Sequence, residues 1–78
     1  MKIRSQDREN LINFDFYDYR IRADKHIIAF SGTREILLGT YEDKNCCREI
    51  MDKMIKSHEN KKSIYNMPQI HTRRGVLS

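Results

Sequence analysis

Apolar and polar positions change rhythm once along this chain, close to Tyr41. Before that point the period is two. Tyr17, Tyr19, Ile21 and Ala23 alternate with Asp18, Arg20, Arg22 and Asp24, the pattern of a strand buried on one face only. Leu11 to Phe16 precedes it as an aromatic and branched run. His26 to Phe30 and Glu35 to Tyr41 follow as two more apolar runs, set apart by turns at Ala23-Asp24-Lys25 and Ser31-Gly32-Thr33. These segments predict an antiparallel meander. Met1 to Arg4 adds an edge strand, with Ile3 facing inward between Lys2 and Arg4, whose charges would discourage further pairing.

Beyond Tyr41 the period becomes helical. Asp43 can cap a helix, and Cys47, Ile50, Met51, Met54, Ile55 and His58 recur at i, i+3 and i+4, which places them on one stripe. The opposite side carries Glu49 four residues before Lys53 and Asp52 four before Lys56, an ordinary solvated face. Asn60-Lys61-Lys62 ends the helix, Ser63 to Met67 returns as a short strand or ordered arm, and Pro68 stops it. The fold class expected is α+β, a small antiparallel sheet of three to five strands packed against one C-terminal helix spanning about Asp43 to His58. Residues 1–68 form the single domain of this reading, and residues 69–78 a basic, flexible tail.

One helix covers one face of a sheet. Apolar and aromatic strand residues such as Leu11, Tyr17, Tyr19, Ile27, Leu37 and Tyr41 exceed what that helix can shield, so a homodimer or higher oligomer is expected, formed through a sheet face or edge.

Composition narrows the class further. A chain of 78 residues supports one small domain. No run approaches the ~20 apolar residues of a membrane helix, and the first residues do not resemble a secretion signal, so a cytoplasmic protein without membrane contact is expected. The two cysteines, Cys46 and Cys47, are adjacent and form no disulfide framework. The formal net charge is +4, but eleven basic and eleven acidic side chains cancel over residues 1–60. Lys61, Lys62, Arg73 and Arg74 supply the whole excess. Such a tail attracts phosphate non-specifically.

Catalytic and metal chemistry find no pattern. Cys47 and His58 share a helical face but sit ~16 Å apart along it, too far for one ion, and neither Cys-x-x-Cys nor His-x-x-x-His occurs. Cys47 reads as a small core residue and Cys46, near a helix start, as a mildly reactive thiol. His26 reads as a partly exposed strand end. Gly32, Gly39 and Gly75 are not spaced to cradle a phosphate, and no nucleophile elbow is present. The expectation is a protein that is not an enzyme and carries no cofactor and no metal. Met51, Met54 and Met67 read as core fillers.

Recognition residues remain. Tyr17, Tyr19, Arg20, Arg22 and Arg34 are the side-chain types that concentrate binding energy at interfaces, and they are the candidate partner-binding set. For nucleic acid the candidates are Arg20, Arg22, Lys25, Lys61, Lys62, Arg73 and Arg74. That reading is weakened because alternation sends the tyrosines and arginines of one strand to opposite faces, whereas base stacking needs both on one.

Four short motifs carry a resemblance. The opening Ile3-Arg4-Ser5-Gln6-Asp7, then Asn13-Phe14-Asp15, Leu38-Gly39-Thr40-Tyr41 and the closing Tyr65-Asn66-Met67-Pro68 resemble, over residues 1–68, a group of short phage and prophage proteins of Gram-positive bacteria. The resemblance implies a non-catalytic accessory protein in the cytoplasm of a host bacterium. It makes an anti-defence inhibitor, of the anti-CRISPR type, the favoured reading, with a host defence protein such as a CRISPR nuclease as partner. A sheet followed by one helix is also similar to the single-stranded-DNA-binding fold of transcriptional coactivators, which gives the alternative, a nucleic-acid-binding module.

Overall fold

The computed structural model describes residues 1–69. Its elements are β1 (Lys2–Arg4), β2 (Leu11–Asn13), a 3-10 turn (Phe14–Phe16), β3 (Asp18–Arg22), β4 (His26–Ser31), β5 (Arg34–Thr40), α1 (Lys44–Glu59) and β6 (Ile64–Asn66). The class is α+β. The strands divide into two three-stranded sheets, ordered β2-β1-β6 and β3-β4-β5.

The division begins at Asn13. Its side chain accepts the Asp15 N–H at 3.1 Å and winds residues 14–16 into a 3-10 turn, so the expected strand over Leu11 to Phe16 ends three residues early. β2 pairs antiparallel with β1, while β3 starts a separate meander with β4 and β5. β1 is therefore the central strand of its sheet and not an edge. β6 lies parallel to it on the other side, with Ile3 opposite both Ile12 and Tyr65. The alternation that turned Ile3 inward holds, and Ile3 is fully buried.

Residues paired across neighbouring strands share a face. In the second sheet Tyr19, Ala29 and Ile36 form one such row, and Ile21 pairs with Ile27; these point to the common core. The register slips between Ile27 and Ile28, so Leu38 is an extra residue on β5 and reaches the same core. The helix closes it. Asp43 Oδ1 accepts the Cys46 N–H at 2.9 Å, and Cys46, Cys47, Ile50 and Met54 are buried. Burial extends to Cys46, which argues against the mild reactivity expected of a thiol near a helix start, because the first turn of α1 faces the sheets. Burial also pushes the Cys47 thiol above its ordinary value, and Cys46 beside it adds to the shift. Ile55 lies outside the buried stripe and is exposed.

α1 ends in a Schellman motif. Lys61 has φ +59° and its N–H bonds the His58 carbonyl at 3.0 Å, while the Lys62 N–H bonds the Ser57 carbonyl at 3.1 Å. The turn between β3 and β4 also uses left-handed backbone, at Ala23 (φ +54°) and Asp24 (φ +61°), and is closed by the Lys25 N–H on the Arg22 carbonyl at 3.2 Å. Among the described residues no helix is long and apolar enough to cross a membrane.

Candidate functional site

The motif residues meet at the seam between the two sheets. The Gln6 N–H donates to the Leu38 carbonyl at 2.6 Å. The Gln6 side chain accepts the Thr40 N–H at 2.9 Å and donates to the carbonyls of Thr40 at 3.1 Å and Gln69 at 2.8 Å. One residue thus extends the ladder of β5 and links it to the loop after β1. That loop is held by Ser5, whose buried hydroxyl donates to Asp7 Oδ1 at 2.6 Å and accepts the Asn10 N–H at 3.0 Å. The Ser5 hydroxyl and the Glu9 N–H hold the Asp7 carboxyl below the usual range.

The closing motif docks on the same seam. Met67 is fully buried and its N–H donates to the Arg4 carbonyl at 3.0 Å, while the Tyr41 hydroxyl donates to the Pro68 carbonyl at 2.7 Å. Gly39 makes room for that ring, since a Cβ there would lie 2.5 Å from Tyr41 Oη. Ordered motifs at both ends of the sequence are therefore explained by packing and hydrogen bonding. Gln69, expected to open the tail, is tied to Gln6, and residues 70–78, with Arg73 and Arg74, lie outside the described residues.

The partner-binding set divides between two faces of the second sheet. Tyr17 and Tyr19 pack against the core; the Tyr19 ring stacks on Phe14 at 5.3 Å and its hydroxyl donates to the Phe14 carbonyl at 2.8 Å. Burial pushes the Tyr19 phenol well above its ordinary value. Arg20 and Arg22 stand on the outward face, as alternation requires. They grip the two oxygens of Glu35, at 2.9 Å and 2.8 Å, and Arg22 first, then Arg20, holds that carboxyl below its usual range. Arg20 also lies over the Phe30 ring, 4.8 Å from its centroid. Arg34 is exposed at the start of β5, paired with Ser31 beside the hairpin turn.

The outward face contains residues that strand alternation alone did not single out. Register places Ile28 between Arg20 and Leu37, and Phe30 between Asp18 and Glu35. Ile28 is 4% exposed yet stands outside the core cluster, and Leu37 beside it is 50% exposed. The result is an apolar strip of Ile28, Phe30 and Leu37 bordered by the Arg20–Glu35–Arg22 cluster. The signal in the sequence was the unbroken run Ile27-Ile28-Ala29-Phe30, in which every second residue had to face away from the helix.

The nucleic-acid candidates are dispersed. Lys25 sits in the β3–β4 turn, and Lys61 and Lys62 form the Schellman end of α1. His26 is half-buried with Nδ1 2.8 Å from the Thr40 hydroxyl. Glu42, Asp43 and Cys46 bring ligand-type atoms within 4.8 Å of one another, but Asp43 Oδ1 already caps the helix and Cys46 belongs to the core. No family model, curated protein or solved structure matches this chain.

Proposed function

We propose that this protein is a non-catalytic binding module that occupies a surface of another protein through the outward face of β3, β4 and β5. In the setting its motifs imply, the occupied protein is a host defence protein and the effect is inhibition. The observation that carries this reading is the strip of Ile28, Phe30 and Leu37 lying outside the core and bordered by Arg20, Arg22 and Glu35. A desolvated apolar centre with arginines at its rim is the composition of a protein interface.

The same geometry favours protein over nucleic acid on this face. Glu35 takes up part of the charge that a phosphate backbone would need, and Tyr17 and Tyr19 are on the other side of the sheet. The test compares capture from nuclease-treated lysate of a host bacterium by the full chain and by a triple variant, Arg20→Ala, Arg22→Ala and Leu37→Ser. The variant should fold, since exposed ion pairs contribute only ~0 to 1 kcal/mol. A target held by the parent chain and lost by the folded variant supports the reading. Steeply salt-dependent DNA binding that the same three changes abolish would replace it with the nucleic-acid alternative.

A further inference from the structure

The first sheet carries a different kind of face. Its outward residues are Lys2 and Arg4 on β1, Leu11 and Asn13 on β2, and Ile64 and Asn66 on β6, a set with two cations and no carboxylate. On an edge strand, Lys2 and Arg4 would guard against further pairing. Because β1 is central, they project from the middle of the sheet instead.

A third cation is folded back onto this face. Arg8 has φ +66°, its N–H bonds the Ser5 carbonyl at 3.0 Å, and this bend returns its side chain to β6. Arg8 Nη1 donates to Asn66 Oδ1 at 3.2 Å, and Arg4 Nε donates to the same oxygen at 3.2 Å. Two guanidinium groups therefore converge on one neutral atom, and neither forms an ion pair among the described residues. Arg8 is flanked in sequence by two carboxylates, Asp7 and Glu9; neither pairs with Arg4 or Arg8 among the described residues, and Asp7 is engaged by the Ser5 hydroxyl and the Glu9 N–H.

We propose that Arg4, Arg8 and Asn66 form a binding site for a phosphate monoester dianion. An amide oxygen orients two guanidiniums without neutralising them, so the like charges stay together uncompensated. Each guanidinium keeps N–H donors beyond the one given to Asn66, and a dianion with three accepting oxygens can bridge the two and match their charge, whereas a carboxylate would satisfy one guanidinium fork only. Lys2 stands two residues along the same face, ~7 Å away, where it adds attraction without direct contact. The site is separate from the outward face of β3, β4 and β5, so its fate and that of the proposed partner surface are independent.

The source of the dianion is resolved by the probes. Inorganic phosphate is titrated into the full chain at constant ionic strength, set with sodium chloride, while the Nε–Hε signals of Arg4 and Arg8 and the amides of 4–8 and 66 are followed by NMR. Saturable shifts at millimolar phosphate, weakened at least tenfold in Arg8→Gln and in Arg4→Gln, are expected. Arg8 is exposed on a loop, so Arg8→Gln keeps the test valid should Arg4→Gln unfold. Oligonucleotides of one sequence, with and without a 5′-phosphate, form the second arm. Tighter binding of the phosphorylated form at these residues identifies a nucleic-acid end as a source; binding of neither form, with inorganic phosphate still saturating the site, leaves a small free phosphate as the ligand. Equal, saturable binding of both forms would overturn the assignment in favour of backbone contacts. Shifts that do not saturate, or that persist unchanged in Arg8→Gln, would overturn it as an adventitious ion only.

Discussion

Gln6 and Gly39 decide how the chain crosses itself at the sheet seam. Gln6 satisfies both backbone groups of Thr40 with one side-chain amide, so Gln6→Ala leaves those groups to water and is expected to lower stability by ~1 to 3 kcal/mol in urea denaturation. Gly39→Ala should cost about as much, ~1 to 3 kcal/mol, because its Cβ would displace the Tyr41 ring from Pro68. Left-handed backbone gives the opposite sign. Ala23 and Lys61 carry a Cβ at φ +54° and +59°, so Ala23→Gly and Lys61→Gly should each raise stability by ~1 kcal/mol and the melting temperature by several degrees. Asp7 and Glu35 have carboxyls held below their ordinary range in the folded state. Their contribution is therefore complete above the unfolded value and is lost as pH falls through the folded one. Urea midpoints should be flat from pH 7 to about 5 and decline below about 4, with a shallower decline in Asp7→Asn.

At the scale of elements, the helix and the β3–β4–β5 meander were legible in the sequence, and the sheet boundary was not. Period-two and helical patterns report which side of an element is buried, so Tyr19 and Arg20 fell on opposite faces as read, and Asp43 capped α1. Pairing partners are a different matter. Nothing in the alternation of Leu11 to Phe16 says that Asn13 will turn the chain, or that Met1 to Arg4 will be flanked on both sides. Three-residue strands hold too little pattern to show it. The outward strip of Ile28, Phe30 and Leu37 was hidden for a related reason, since a run of consecutive apolar residues conceals which ones face the helix. The helix stripe gives a direct check. Ile50→Asp or Met54→Asp would bury a charge between α1 and the sheets and should abolish cooperative unfolding, as seen by circular dichroism. Cys46 and Cys47, both fully buried, should react with a thiol reagent only at the rate of unfolding.

The molecule as a whole presents two outward sheet faces of different chemistry on one shared core. One is an apolar strip with a partly neutralised arginine rim, the other a basic strand face on which Arg4 and Arg8 share the Asn66 oxygen. Each follows from the division at Asn13, which gives the second sheet a face that α1 does not cover and makes β1 the centre of the first. A second copy of the chain is the rival occupant of the apolar strip, and light scattering of the parent chain and of Leu37→Ser at high micromolar concentration separates the two. A mass that Leu37→Ser leaves unchanged is expected if the strip serves a different protein; a dimer that Leu37→Ser dissociates would assign it to self-association. Surface occupation through β3, β4 and β5, the proposed mode of action, is testable on the target itself. Calorimetric titration of the captured target with the parent chain and with the Arg20→Ala, Arg22→Ala, Leu37→Ser variant tests it most directly. Saturation near one chain per target and at least tenfold weaker binding by the folded variant are expected. Equal affinity of the two, or loss of target activity at far fewer chains than targets, would contradict it.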